Sequence, residues 1–375
     1  MTVRRILIAL VGMALLSAPC SAMETCFDTG INTTVWQNDN DDHGLQVAIP
    51  ILAGITQGNF RVKLLNALVY TSVDPDGGDK ASLTHFLDTK LDLSYVSSGR
   101  LPFDLLVGCG FNLPTGYTRF KDDDMALLTL PPDLLPITTF GEGFNVNPYF
   151  GMSKEWNRVV AGFGIGYLLS GKYDYSETVQ DYDPGDILTV TASVGYDFTP
   201  AFQGKLFGEY ATYGKDTVDG DDYFQDGDLF LVGLGLTYSP KPSWNLSGRV
   251  HAIYRSKAEY FSAAGAPVNN EKNYGDEWEA LLNYQYFLNS RTSILTGIDY
   301  LYIGQNDYPK TSAFYAGKRQ KITLSGGMER SFTEKVKGTL HLDLFSLDDD
   351  RNWYHPADDL RYTGLNLSAG LQARF

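Results

Sequence analysis

The sequence predicts an all-β fold: a transmembrane, antiparallel, up-and-down β-barrel of about 14 strands, with 16 as the alternative. Three observations predict it. From roughly residue 59 to Phe375, stretches of about 10–16 residues alternate apolar and polar side chains, the period of a pleated strand with two unlike faces. The gaps between them alternate in length. Short ones (Ser97–Leu101, Ser153–Trp156, Phe198–Ala201, Ser239–Ser243, Leu288–Arg291, Phe332–Lys335) take turns with long, acidic ones, as in a barrel with tight turns on one rim and loops on the other. The last stretch ends in register. Leu365, Leu367, Ala369, Leu371, Ala373 and Phe375 lie on one face, and Asn366, Ser368, Gln372 and Arg374 on the other.

The two ends agree with export. Residues 1–22 read as a signal peptide, with Arg4 and Arg5 charged, Ile6–Leu16 apolar, and Cys20-Ser21-Ala22 small before Met23. That apolar core is too short to span a bilayer as a helix, and no later run is long enough either. At the other end, Ser368-x-Gly370-x-x-Ala373-x-Phe375 resembles the signal that the barrel assembly machinery reads. The chain has 375 residues and a formal net charge of −15. The absence of clustered Lys and Arg argues against a nucleic-acid partner. The acidic residues gather in the long gaps, at Asp74–Asp79, Asp181–Asp186, Asp216–Asp228, Asp348–Asp350 and Asp358–Asp359.

Counted back from Phe375, the strands fall at roughly 59–71, 83–97, 101–113, 143–153, 156–170, 185–198, 201–215, 226–239, 243–258, 273–289, 291–306, 317–332, 335–347 and 360–375. The stretch 23–58 is open to three readings: an N-terminal tail, a plug in the lumen, or an extra hairpin around Asp39–Gly44. Pro50 and the shortness of the two segments favour tail or plug over strands. Aromatic residues collect near strand ends as two interfacial girdles. Trp156, Phe198, Phe202, Trp244 and Phe332 stand on the short-turn side; Tyr173, Tyr213, Tyr260, Tyr308 and Tyr354 lie near the long loops.

The register also assigns the faces. Leu206 and Tyr210, Val250 and Tyr254, Ile322 and Leu324, and Leu340 and Leu342 point out to lipid. The opposite face carries charges of both signs: Arg249, His251, Arg255 and Lys257 on one strand, and Glu277 and Glu279 on its hairpin partner. Lys205 and Glu209, Arg319 and Lys321, and His341 and Asp343 add to them. An Arg or Lys at the bilayer midplane costs about 2–4 kcal/mol, so these residues define the lumen. Facing walls of opposite charge would orient a polar permeant; cross-strand ion pairs would equally fill a narrow bore. Inward glycines at Gly162, Gly164, Gly166, Gly233 and Gly235 either make room or let the wall bend.

The gap 114–142 is the outlier, too long for an ordinary connection and too apolar for a solvated one. Met125, Leu127, Leu128, Leu130, Leu134, Leu135, Ile137 and Phe140 crowd into it, and Pro131, Pro132 and Pro136 exclude a long helix. Such a loop must hide from water, as a gate in the barrel mouth, a seal, or a contact with another subunit. Cys26 and Cys109 are the cysteines after the signal. Cys109 falls on the apolar register of its strand, which favours free thiols over a bridge. The five histidines are scattered, and no nucleophile–base grouping, zinc pattern or calcium loop appears. The chain is read as a non-enzyme without metal or cofactor.

Strand 101–113 runs into Gly108-Cys-Gly-Phe-Asn-Leu-Pro-Thr-Gly116, preceded by Phe86-Leu-Asp-Thr-Lys-Leu-Asp-Leu-Ser-Tyr95 and followed by Gly143-Phe-Asn-Val-Asn-Pro-Tyr-Phe-Gly151. This order resembles outer-membrane proteins of the phenol-degradation meta-pathway type, grouped with fatty-acid and aromatic-hydrocarbon transporters. The resemblance covers residues 83–170. It implies passive transport of small molecules, hydrophobic or aromatic ones among them, with outer-membrane lipid and lipopolysaccharide as surroundings. It also implies an N-terminal hatch, for which 23–58 is short, and the mixed-charge lumen departs from an apolar tunnel. A general porin and a closed anchoring barrel stay open as alternatives, as does the oligomeric state.

Overall fold

Residues 23–375, apart from positions 100, 122, 123, 125, 126, 128, 129, 132, 263, 264 and 354, are described by a computed structural model. The predicted signal peptide 1–22, the gate residues Met125 and Leu128, and Tyr354 lie outside the described residues. Seventeen strand segments form one antiparallel wall. Two of them, Ala81–Phe86 and Thr89–Ser97, are halves of a single strand, so the barrel has sixteen.

In chain order these are β1 (Met23–Asn38), β2 (His43–Gln57), β3 (Phe60–Asp74), the split β4, β5 (Asp104–Leu113), β6 (Asn145–Trp156), β7 (Val159–Leu168) and β8 (Ile187–Thr199). Then follow β9 (Phe202–Tyr213), β10 (Leu229–Lys241), β11 (Trp244–Arg255), β12 (Glu277–Asn289), β13 (Thr292–Ile303), β14 (Arg319–Ser331), β15 (Val336–Asp349) and β16 (Leu360–Arg374). Each pairs with its sequence neighbours. β1 closes the ring on β16 from Cys26↔Arg374 to Asn38↔Tyr362. The start of β1 and the end of β16 therefore sit on the short-turn rim, the periplasmic one of an outer-membrane barrel. Left-handed residues shape two of its turns: Gly58, at φ 58°, between β2 and β3, and Asn157, at φ 55°, between β6 and β7.

The structure corrects the count of 14 strands to 16, because 23–58 forms the first hairpin rather than a tail or plug. Pro50 is accommodated where the β1–β2 ladder lapses, between Thr29↔Ile51 and Asn32↔Ala48. With no donor required there, the Pro50 carbonyl accepts a 2.9 Å hydrogen bond from Thr29 Oγ1 instead.

The alternation read from the sequence sorts the two faces. Leu206, Phe230, Leu324 and Leu344 are exposed on the outside, where lipid would cover them. Cys26 shares the inward register of Asp28 and Trp36, whereas Cys109 pairs across from the outward Leu93. The two thiols stand on opposite faces, and both are free.

Three features break the regular wall. First, the pairing of β3 with β4 jumps from Leu68↔Phe86 to Leu65↔Lys90, so Asn66 and Ala67 oppose Leu87, Asp88 and Thr89. Such a bulge bends its strand. The Asn66 amide, through Nδ2, donates to the Leu87 carbonyl and Thr89 Oγ1, both at 2.9 Å. Above the break, Ala81–Phe86 pairs with β3 alone among the described residues; below it, Thr89–Ser97 pairs with both β3 and β5. Second, Tyr182–Asp183, Lys215–Val218, Asp221–Gln225, Ala258–Phe261 and Pro267–Glu271 build a separate five-stranded sheet from the long loops. Third, the apolar loop 114–142 folds into the barrel.

Candidate functional site: the plugged lumen

Two apolar clusters hold the loop against the inner wall near the long-loop rim. Leu127, Leu134 and Leu135, with Leu130 at the edge, pack on Trp36, Val73, Ala81, Phe345, Leu347, Leu360 and Tyr362. Phe120 and Phe140, with Ile137 and Tyr117 beside them, pack on Ala48, Ala67 and Val69. Leu134 is 1% exposed, as dry as a residue in the centre of a soluble core. Ala48, Ala67, Val69 and Val73 make the inward positions of β2 and β3 largely apolar where this loop covers them, and the polar exceptions Gln46 and Thr71 are bonded to each other at 3.0 Å.

Polar anchors fix the loop at both ends of one arc of the wall, the contiguous strands β14, β15, β16, β1 and β2. On β2, the buried Gln46 donates through Nε2 to the Ile137 carbonyl at 2.7 Å and accepts from the Ile137 N–H at 3.1 Å. On β14, Arg319 reaches Asp133 at 2.8 Å and holds Asp349 of β15 in a two-pronged contact at 3.0 and 2.9 Å. Lys321 Nζ donates to the Asp133 carbonyl at 2.6 Å. The segment therefore spans the inner face of this arc from β2 to β14.

One carboxylate ties both ends of this plug to the break in β4. Asp88, 6% exposed, accepts from Asn112 Nδ2 at 2.6 Å, from the Gly116 N–H at 2.7 Å and from the Glu142 N–H at 2.7 Å. The stem is tight: a Cβ on Gly116 would run into the Phe140 carbonyl oxygen. We expect Asp88→Ala, which strands two backbone donors and an amide, to lower the unfolding free energy by about 2–4 kcal/mol. Urea titration in lipid vesicles measures this. An unchanged midpoint would mean that the three bonds contribute nothing.

Beside Asp88 lies a cavity of about 280 Å³, lined mostly by apolar atoms of Pro50, Leu65, Ala67, Leu87, Ile137 and Phe140. Toward the short-turn rim the inner wall carries two open recesses that include charged side chains. One, of about 690 Å³, holds Arg61, Lys205 and Glu209; the other, of about 470 Å³, holds Glu155, Lys205, Arg249 and Asn283.

The wall from β11 to β15 carries the charges in pairs. Arg249 and His251 both meet Glu279, at 3.1 and 3.2 Å, Arg255 meets Glu277 at 3.6 Å, and His341 meets Asp343 at 2.8 Å. Lys257 is a correction. β11 ends at Arg255, and Lys257 instead braces the loop sheet through Glu271 at 3.0 Å. Its alternation continued past the last ladder partner of the strand. Gln46 and Asp133 escaped the sequence reading, because a Gln on a strand and an Asp between prolines carry no local signal of their partners; the alternation does place Asp88 on the inward face, but not against the plug stem.

The same charged wall links the plug to the loop 350–359. His355 sets Nε2 2.9 Å from an Asp349 carboxylate oxygen, with Asn352 Nδ2 also 3.1 Å away, and Nδ1 2.8 Å from the Asp358 carbonyl, so each ring nitrogen has an acceptor for a proton. Burial opposes that charge, but the Asp349 carboxylate and the Asp358 carbonyl outweigh it and hold the imidazole above its usual pKa. A raised pKa in the folded state stabilises fully below the unfolded value and is lost as pH rises through the folded one. We expect proteolytic nicking of 350–359 to accelerate as pH rises above the ordinary imidazole value of about 6.5, and His355→Asn to flatten that dependence. Equal nicking rates below and above that value in the unsubstituted chain would remove the coupling.

A family model described as "Putative MetA-pathway of phenol degradation" matches residues 134–266, from the inner part of the plug through β11. No curated relative matches the sequence. The chain is similar to several solved outer-membrane structures. For the P. putida toluene transporter TodX the identity is 10% and the TM-score 0.39, covering 95% of this chain and 90% of that one. The anion-selective porin from Comamonas acidovorans is 13% identical, with a TM-score of 0.42 over 94% of this chain and 99% of that one. Pseudomonas aeruginosa OccK7 is 11% identical, with a TM-score of 0.45 over 95% of this chain and 100% of that one.

Proposed function

We propose that this barrel is an outer-membrane channel for passive uptake of small apolar or aromatic molecules, with the loop 114–142 as its gate. The observation that carries the reading is the apolar cavity under the plug, placed at the break in β4. Above that break the wall lacks one ladder among the described residues, so the cavity adjoins a place where an apolar solute could pass sideways into lipid rather than through the wet lumen. The charged wall would then keep the two open recesses hydrated and the bore filled, with selectivity for ions a secondary property. The surroundings implied are outer-membrane lipid and lipopolysaccharide. Phe375, aligned with the lipid face, would serve as the assembly signal.

The test is uptake by proteoliposomes containing the mature chain, with toluene and a sugar of similar size as paired probes, alongside single-channel recording. The expected result is toluene uptake above protein-free vesicles, sugar excluded, and bilayers nearly silent. Large ohmic steps with no preference between the probes would instead make the protein a general porin. Silence in both assays would leave a closed anchoring barrel.

A further inference from the structure

Beside the stem of the plug, at the long-loop ends of β6 to β9, lies a further cavity of about 240 Å³. Its aromatic walls are Tyr173, Tyr182, Tyr213 and Phe224, drawn from two loops, the end of β9 and the loop sheet. Its charged lining is of one sign, from Glu142, Asp216 and Asp226. Four other cavities differ in kind: those around Lys90, Lys205, Arg249 and Arg319 each include a basic side chain. Among the described residues, no Lys, Arg or His lies within ion-pair distance of Glu142, Asp216 or Asp226. Arg255, whose field Asp226 feels, is already paired with Glu277.

The donors present are spent on the protein itself. Tyr182 donates its hydroxyl to Asp216 at 2.5 Å, the Gly185 N–H donates to the same carboxylate at 2.7 Å, and the Gly227 N–H donates to Asp226 at 2.9 Å. Burial pushes the Asp226 carboxyl upward, as expected for an acid placed without a counter-ion. Burial and the neighbouring carboxylates also raise the Tyr173 and Tyr182 phenols, so these rings stay neutral. What remains is a half-open recess lined by aromatic rings and carboxylates. Ring faces and carboxylates both attract an organic cation and both disfavour an anion.

The cavity is also on the way in. Glu142 lines this space and the apolar cavity beside Asp88 alike, standing between them at the stem of the plug. We propose that this vestibule is a binding site for small organic ammonium ions carrying an apolar or aromatic body, so that the channel favours amines over carboxylates of the same shape. This rests on the channel reading and narrows its substrate class.

The experiment uses three probes that share one ring: benzylammonium, benzyl alcohol and benzoate. Each is followed for uptake by proteoliposomes of the mature chain, and benzylammonium also for binding to the detergent-solubilised protein by tyrosine fluorescence. The expected result is benzylammonium taken up about tenfold faster than benzoate, the size of one cation–π contact with a nearby carboxylate. Asp226→Asn keeps the Gly227 bond and should bring that ratio to near one while leaving benzyl alcohol uptake unchanged. Phe224→Leu should weaken benzylammonium binding in the same direction. Equal uptake of the three probes, or a preference that survives Asp226→Asn, overturns the proposal. If benzyl alcohol also fails to pass, the channel reading fails separately, and the fluorescence titration still decides the site: saturable binding lost in Asp226→Asn supports it, and no binding refutes it.

Discussion

Replacing residues 125–140 by a short glycine-serine linker is expected to raise single-channel conductance about tenfold or more, since sixteen strands without filling enclose an aqueous channel. The plug is the only described segment anchored on both β2 and β14, through Gln46 and Arg319. Removing it uncovers Trp36, Val69, Val73 and Leu347 to water. That exposure lowers stability somewhat but leaves the wall ladders intact, because none of the barrel pairings uses a residue of 125–140. The linker variant should therefore still insert and should show steps that scale with salt. If it inserts and stays silent, the bore is closed by the charged wall and not by the plug.

The second large effect is expected at Arg319. Its side chain, about 10% exposed, is shared between Asp133 and Asp349. Arg319→Met would leave Asp349, itself almost fully buried, without its main cation, and would free the plug from β14. Breaking a buried pair in this way costs about 3–5 kcal/mol. We expect that loss in urea titrations, together with flickering conductance where the unsubstituted chain is quiet. Arg319→Lys should recover only part of it, since an ammonium cannot make the two-pronged contact with Asp349 while also reaching Asp133. Pairing Arg319→Met with Asp133→Asn and Asp349→Asn should restore stability but not the closed pore. A single Arg319→Met variant that is both stable and silent would remove the anchor from the account.

Much of the wall was legible in the sequence because a strand in this setting is written twice, once as lipid-facing apolar residues and once as lumenal polar ones. Arg249, Glu279, Lys321 and Asp343 could be assigned a face with no knowledge of their partners. The first hairpin was harder. Pro50 reads as a breaker, and only the partner strand reveals that the ladder lapses there and Thr29 fills the vacancy. The bulge at Leu87–Asp88 was hidden for another reason. Apolar and polar residues alternate through it almost undisturbed, so the extra residue in β4 is visible only against β3. The loop 114–142 announced by its composition that it must be buried, but not where. Asp133 and Arg319 stand 186 residues apart, and no periodicity relates them. The acidic vestibule was invisible for the same reason, its walls being drawn from separate loops that read individually as solvated turns.

The first apolar cluster has a bearing on how the protein comes to be made. Trp36 of β1 and Leu360 and Tyr362 of β16 belong to it, and these two strands meet at the seam where the last edge is sealed. Before that seam forms, the leucines of the plug have only part of their bed, and the anchor on β14 is synthesised long after the plug itself. The nascent chain would thus pass through insertion with its stopper unseated. Completing the ring and corking it become one event, so a half-built, leaking cylinder would never have to be tolerated by the cell.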